Sequence, residues 1–326
     1  MHDAISSLLR RYGVVATRMR HVASLGCDVW RITPRPTSAQ RGELSLRIYP
    51  AQRRELATVR TEVEWLRLLA AQGLHVPRPV PDEAGEYLQR WQPDPGTPPR
   101  HAVLLTWLPG RLHDQGLTPE RLRRVGVMTG QLHAVSERLV AAGGVTTKRH
   151  AYSSNLLPWA QRRQPGTAAL SPGHRALAGD AASKLIGELA TFPQDARAYG
   201  FIHGDLHPWN ILFARDVAGA IDFSDCGWGH AALDLAACLQ YLRHPLANNH
   251  DHRRGYARLH DSLLAGYAQV RALPPNMARQ VDAYIVARMF VTLEWILEDW
   301  PTIDHRPWGP GFLRGVQKVF RDYAQS

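Results

Sequence analysis

Apolar positions change their spacing twice along this 326-residue chain. Between residues 14 and 49 they form short alternating or continuous runs, VVATRMRHVAS, CDVWRITP and ELSLRIYP, which predict three strands. A short helix over 3–12 precedes them. Ser24 to Cys27 reads as a turn, and Pro50 ends the third strand because it has no N–H to give a ladder. Over 54–72 the apolar residues Val59, Val63, Leu66, Leu69 and Ala70 recur at helical spacing, with Gly73 suited to the helix end. Val76 to Val80, with two prolines, predicts an extended connector. Two further strands are expected over 86–91 and 101–107, separated by a proline-rich loop from Pro93 to Pro99.

From about 118 onward the spacing is mainly helical, over 118–141, 172–191, 230–243, 252–270 and 276–299. The centre breaks this rule. Ala198–His203, Ile211–Phe213 and Ala220–Phe223 read as short buried strands between loops. Residues 143–172, with several Gly, Pro and Ser, read as a long surface loop. There is no internal repeat. The pattern describes an α+β chain, a β-rich first part followed by a helical remainder, with Thr106-Trp107-Leu108-Pro109-Gly110 as the boundary.

Composition narrows the classes. With 44% apolar and 21% charged residues the chain is of the folded type, and its length allows a large core without disulfide or structural metal. Cys27, Cys226 and Cys238 lack metal-ligand spacing, and an odd count without CxxC fits a reducing compartment. The first twenty residues lack the order of a signal peptide, and no run approaches a membrane span, so a cytoplasmic protein with no membrane partner is expected. The net charge of +10 is carried almost wholly by dispersed arginine, without a basic block interleaved with aromatics, so nucleic acid is not the expected partner. The first 147 residues contain no lysine.

Two segments carry chemistry, His203-Gly204-Asp205-Leu206-His207-Pro208-Trp209-Asn210 and Ala220-Ile221-Asp222-Phe223-Ser224-Asp225. Each begins apolar and opens into a polar loop with a carboxylate at the strand end, where backbone is rigidly placed. Asp205, Asn210 and Asp222 are hard oxygen donors suited to Mg²⁺. His203 and His207 have the i,i+4 spacing of a zinc helix, but Pro208 and the missing HExxH glutamate argue against zinc. Phosphoryl transfer needs this set: a carboxylate to orient the acceptor hydroxyl and take its proton, and metal ligands to hold a triphosphate. Asp205 is then the base, and Asn210 and Asp222 the metal ligands.

HGDLHPWN followed by IDFSD resembles the catalytic and metal-binding segments of the aminoglycoside phosphotransferase and choline kinase family. Its protein-kinase relatives carry H-R-D-x-x-x-x-N and D-F-G. Gly204 takes the place of the Arg, and Ser224 that of the last Gly. Gly229 to Ala236 resembles the family's G-x-x-x-x-D-L-A, whose Asp, here Asp234, helps hold the catalytic loop. Gly130-Gln131-Leu132-His133 resembles its G-x-L-H helix.

The resemblance implies a two-lobed protein-kinase-like fold. Residues 1–105 would form the nucleotide-binding lobe, 106–110 the hinge, and 111–326 the helical lobe with catalytic loop and acceptor site. ATP or GTP would be the co-substrate and a hydroxyl compound the acceptor, with Thr106 and Leu108 of the hinge and Ser24 and Gly26 of the 24–28 turn at the nucleotide. The family's strand lysine falls on Arg47; with no lysine in this region, any cation on the phosphates must be arginine, which keeps charge but differs in reach and geometry. Glu62 is its expected partner, with Glu64 the alternative.

Each assignment has a plainer reading. Asp205, Asn210 and Asp222 are common turn formers; Arg47 fits an outward strand position and Glu62 a solvated helix face. His207 either caps the loop or approaches the transferred phosphate. Asp225 reads as a loop acid, and His133 as a satisfied buried histidine. Trp295, Trp300 and Trp308 are read as core or lid packing rather than an acceptor pocket. Two rival functions stand beside a small-molecule kinase: a Ser/Thr protein kinase of the same family, and a weakly catalytic nucleotide-binding scaffold, motivated by Arg47 and the glycine-poor turn.

Overall fold

The computed structural model describes residues 1–24, 26–38, 40, 42–50, 54–94, 96–112, 116–141, 150, 152–166, 170–243, 250–298 and 309–326. The chain divides into two compact units. The first comprises Met1–Arg111, the end of the first long helix from Val135, and Leu212–Ser224; the second holds the rest.

In the first unit, α1 (His2–Arg10) is followed by β1 (Ala16–Ala23), β2 (Asp28–Pro34) and β3 (Leu44–Pro50), then α2 (Leu56–Ala71), β4 (Pro79–Val80), β5 (Leu88–Trp91) and β6 (Arg100–Thr106). These strands form one antiparallel sheet in the order β1-β2-β3-β6-β4, with β5 also paired to β6. Helix α1 turns Ile5, Leu8 and Leu9 to one side, and they join Trp30, Ile32, Leu46, Ile48 and Leu104 in a continuous core. Strand β3 is buried at every position but its last, Pro50, which places Arg47 inside the unit rather than on an outward face. In α2, Val59, Val63, Leu66 and Leu69 are buried as their spacing requires, and so are Glu62 and Trp65. Burying one such tryptophan is worth roughly 4–6 kcal/mol of apolar area. The extended 76–80 connector becomes a strand at its end, because Val80 and Pro79 pair with β6.

Strand β7 (Arg111–Leu112) leads into α3 (Pro119–Ala141). The second unit then contains α4 (Tyr152–Ala160), α5 (Pro172–Leu189) and β8 (Tyr199–Ile202). The central hairpin β9 (Ile211–Ala214) and β10 (Val217–Ala220), part of the first unit from Leu212 on, comes next in the chain; β11 (Gly227–His230), α6 (Ala231–Arg243), α7 (His250–Ala268), α8 (Met277–Glu298) and α9 (Gly309–Gln325) complete the second unit. Helices α4, α5, α6, α8 and α9 pack on one another, with Phe290 stacked on Phe320 at 4.2 Å. Helix α3 meets α7 through glycines: a methyl group on Gly126 would overlap the Leu263 carbonyl, and one on Gly266 the Arg123 carbonyl.

Several expectations are corrected. The stretch 143–172 contains α4, whose Ser-rich start and internal Pro158 disguise it as loop; residues 142–149, 151 and 167–169 lie outside the described ones. The strand expected at Ala220–Phe223 lies earlier, at Val217–Ala220, and Asp222 sits beyond it in a left-handed backbone conformation. Gly227–His230 is not only a prelude to a helix: it pairs antiparallel with β8. Helix α9 was not anticipated. Trp295 is 59% exposed and so is not core packing; Trp300 and Trp308 lie outside the described residues.

Candidate active site

The first unit gathers one group of predicted residues. Arg47 Nη1 donates to Asp222 Oδ1 at 2.8 Å and lies 3.7 Å from Glu62 Oε1. Its partner is therefore chiefly Asp222. Glu62 is held by the Tyr49 hydroxyl at 3.0 and 3.2 Å and by Arg54 Nη1 at 3.6 Å. Tyr49 stands two residues beyond Arg47 on β3, yet both are buried. Burial pushes the Glu62 carboxyl above its usual range, against the pull of Arg47 and Arg54. Glu64, the alternative partner, is exposed and pairs with Arg67 instead. Arg47 and Glu62 are thus neither an outward strand residue nor a solvated helix residue.

Asp222 adopts φ +62°, rare for a residue with a side chain and worth of order 1–3 kcal/mol of strain. Its carboxylate is 45% exposed although Arg47 beside it is buried. Phe223, the next residue, is buried with its ring edge-on to Trp65 at 5.2 Å, so the turn is anchored immediately after the strained position.

The 24–28 turn is closed by Ser24, whose hydroxyl donates to Asp28 Oδ1 at 2.8 Å. Gly26 has φ +73°; Leu25 lies outside the described residues. Cys27 is buried, and burial pushes its thiol up to about 11. Thr106 ties the chain to Arg78 by two hydrogen bonds of 2.9 Å, and Leu108 is half-buried.

The second unit gathers the other group. Strand β8 buries Phe201 and Ile202 and delivers the chain to His203. The fully buried Asp234, at the start of α6, accepts from the backbone N–H of His203 at 2.8 Å and of Gly204 at 2.7 Å. It also meets His133 Nε2 at 3.0 Å, while His133 Nδ1 meets the Tyr267 hydroxyl at 3.0 Å and Arg271 donates to that hydroxyl. With Tyr267 donating to Nδ1, the neutral His133 donates from Nε2 to Asp234, so one tautomer satisfies the whole set. His133 is a buried histidine with both ring nitrogens occupied. Gly204 has φ +85°, and a side chain there would overlap Asp225 O and the His150 ring, which explains why no arginine stands at this position.

Asp205 follows on this pinned backbone. Arg288 Nη2, from α8, donates to its Oδ1 at 2.7 Å, and His207 Nε2 lies 3.3 Å from its Oδ2. Burial pushes the Asp205 carboxyl up, but His207 and Arg288 outweigh it and hold the group well below the usual carboxylate range. Pro208 opens a short 3-10 turn, a position that needs no N–H, and Asn210 closes it. Asn210 Nδ2 donates to the Asp205 carbonyl at 2.9 Å, which leaves Oδ1 as its free ligand atom. His207, Trp209 and Tyr241 form an edge-on aromatic group, with Trp209 and Tyr241 4.4 Å apart. Asp225 ends a second 3-10 turn, and its carbonyl meets His150 Nε2 at 2.9 Å.

Arg288 escaped the sequence reading. The available signal was a lone arginine inside the apolar run Tyr284 to Leu293. Arg54 and Tyr49 were also missed, since nothing in their spacing reveals that they converge on Glu62.

Of the residues expected at a divalent cation, the first unit offers the partly exposed Asp222 carboxylate and the second the Asn210 amide oxygen, each a hard oxygen donor. His203 is buried, with Nδ1 3.3 Å from the Asp205 N–H, an arrangement for loop structure rather than for zinc. Among the described residues, no three His, Cys, Asp or Glu side chains form a metal cluster.

A buried acid pinning a strand-to-loop turn that presents Asp205 and Asn210 belongs to a protein-kinase-like fold, and solved structures agree. An amicoumacin kinase in complex with AMP-PNP and Ca²⁺ aligns with a TM-score of 0.76 at 17% identity, over 99% of this chain and 96% of that one. A microcompartment-associated aminopropanol kinase aligns with a TM-score of 0.74 at 20% identity, over 99% and 95%. The chain belongs to the phosphotransferase enzyme family, whose description matches residues 28–273. Among curated proteins it is similar to an amicoumacin kinase of Bacillus subtilis (strain 168), 24% identical over 71% of this chain and 66% of that protein. It is also similar to a homoserine kinase of Methylocella silvestris, 31% identical over 52% and 49%. The chain thus spans about half to two thirds of the length of these relatives. Among the described residues no helix is long and apolar enough to cross a membrane.

Proposed function

We propose that this protein transfers the γ-phosphoryl group of ATP or GTP to a hydroxyl of a small molecule, with Asp205 as general base. The observation that carries this reading is the 203–210 loop. Its backbone is pinned by Asp234, and its one acidic side chain is held ionised by Arg288 and His207. An ionised carboxylate at a fixed strand end is what an acceptor hydroxyl needs to be oriented and to lose its proton.

Asn210 and Asp222 would hold Mg²⁺, which when bound neutralises phosphate charge and fixes the triphosphate. Arg47 supplies the cation on the phosphates in place of lysine, with Glu62 and Tyr49 behind it. His207 approaches the transferred group, next to Asp205. Residues 1–105 serve as the nucleotide lobe, with Ser24 and Gly26 at the phosphates and Thr106 and Leu108 of the 106–110 hinge at the base. Residues 111–326 carry the acceptor site.

The relatives' names guide the acceptor class. Homoserine and aminopropanol are both amino alcohols, so small amino alcohols are the first acceptors to test. The test is nucleotide consumption against a panel of amino alcohols, other alcohols, amicoumacin and protein substrates, with Mg²⁺ and either ATP or GTP. Transfer to a small hydroxyl compound supports the reading. Transfer only to protein, or nucleotide binding with no transfer to any acceptor or to water, contradicts it.

A further inference from the structure

Two grips on the catalytic loop come from helix α6, and only the first lies on the motif. Asp234, near its start, holds the loop backbone. Six residues on, the fully buried Gln240 acts on the carboxylate through an intermediary. Its Oε1 accepts from Arg288 Nε at 2.7 Å, and its Nε2 donates to Thr292 Oγ1 at 2.7 Å. Thr292 stands one turn beyond Arg288 on α8, so Gln240 is itself fixed in orientation. Arg288 then reaches Asp205 Oδ1 at 2.7 Å and the Gly204 carbonyl at 3.4 Å. Its side chain is 11% exposed.

A carboxylate turns freely about its last bond, with a broad and nearly two-fold profile. Left alone, Asp205 would present either oxygen in a range of directions. Arg288, charged at every relevant pH and with a planar fork, removes that freedom. We propose that Arg288 is a positioning residue for phosphoryl transfer: it commits Oδ1 of Asp205 and so turns Oδ2, which His207 Nε2 flanks at 3.3 Å, toward the acceptor hydroxyl.

A second role, raising the strength of the base, is excluded by sign, because a cation beside a carboxylate weakens its hold on a proton. A role as a binding site for an acidic acceptor is opposed by its surroundings, since three of its five N–H donors already face an oxygen of the protein and its charge is matched by Asp205. Orientation remains. It suits a reaction with little covalent work for the protein, where placement decides the rate.

The inference rests on Asp205 being the base, so Asp205→Ala is measured beside it. The probes are ATP consumption with water as acceptor, and with homoserine and aminopropanol. Arg288→Met is expected to lower kcat roughly 10- to 100-fold while the KM for ATP stays within about twofold. Arg288→Lys should recover part of that loss. In the Asp205→Ala background, Arg288→Met should cost nothing further. A folded Arg288→Met variant with parental kcat overturns the inference and makes the contact merely structural. If Asp205→Ala itself keeps parental kcat, the base reading falls instead. Should Arg288→Met fail to fold, Arg288→Lys decides: kcat several-fold below the parent supports orientation, and parental kcat refutes it.

Discussion

The two groups of polar residues are built on opposite plans. In the second unit, the carboxylate proposed as base has its backbone pinned by the buried Asp234 and its side chain fixed by Arg288. Every link is a hydrogen bond between 2.7 and 3.0 Å. In the first unit, Arg47 stands between two carboxylates, close to Asp222 and only loosely near Glu62 at 3.7 Å, while Arg54 approaches Glu62 at 3.6 Å. The first arrangement is complete without a ligand. The second balances charge against charge, and under the proposed function a triphosphate with its cation would supply both an anion for Arg47 and a partner for Asp222. The difference teaches that the carboxylate proposed as base is placed by the fold alone, whereas the charges of the first unit compensate one another, a balance that a nucleotide would replace if the proposed function holds.

The largest effect should come from the base. Asp205→Ala is expected to lower single-turnover phosphoryl transfer by roughly 10²–10⁴-fold while leaving nucleotide affinity nearly unchanged. Equal single-turnover rates in mutant and parent would break the comparison at its root.

Removing the backbone grip comes next. Asp234→Ala removes the acceptor of three buried N–H groups, those of the His203 and Gly204 backbone and of His133 Nε2, at about 1–3 kcal/mol each, and thermal unfolding should move down accordingly. The same grip predicts a pH dependence. Burial pushes the Asp234 carboxyl up, but His133 and the loop N–H outweigh it, so its folded pKa is lowered. The stability it contributes is present above the unfolded value, near 3.9, and is lost as pH falls through the folded one. Burial also lowers the His133 pKa, so the unfolded chain takes up its proton first, and stability falls as pH drops below about 6.5. Both act in the same direction. Thermal midpoints measured from pH 7 to pH 3 should decline, and a flat profile would contradict the grip.

The smallest effect concerns the cation. Arg47→Lys keeps the charge but loses the planar guanidinium whose Nη1 faces both Asp222 and Glu62, so turnover should fall by roughly tenfold rather than vanish. Because Arg47 is buried, Arg47→Ala should also destabilise the fold, by about 3 kcal/mol, toward the low end for buried pairs since Tyr49 and Arg54 still hold Glu62. Full turnover in Arg47→Lys would show that the guanidinium geometry has no role.

Most of this was legible in the sequence wherever a residue acts close to its own motif. The placing of Asp205, Asn210 and Asp222 was legible because apolar runs stop or start beside them: Asp205 and Asp222 follow β8 and β10, and Asn210 precedes β9. The strands β1 to β3 and helix α2 follow from periodicity alone. What stayed hidden depends on distant segments. Arg288 is 83 residues from Asp205, and no local pattern distinguishes it from a snorkelling helix residue. The Arg47–Asp222 contact spans 175 residues; the family resemblance pairs Arg47 with Glu62, and nothing local shows that Tyr49 holds that glutamate. Helix α4 was lost because Ser and Pro favour turns locally, a preference overridden by packing on α5 and α8.

The most direct test of the contrast is calorimetry of ATP binding in Mg²⁺ on Asp222→Ala and Asp205→Ala, side by side with the parent. Loss of Asp222 removes a charged ligand for the cation and should weaken Mg²⁺-dependent ATP affinity by at least about tenfold, whereas loss of Asp205 should leave it within about twofold. Unchanged affinity in Asp222→Ala, or a loss in Asp205→Ala as large as that expected for Asp222→Ala, would contradict the division of labour between the two clusters.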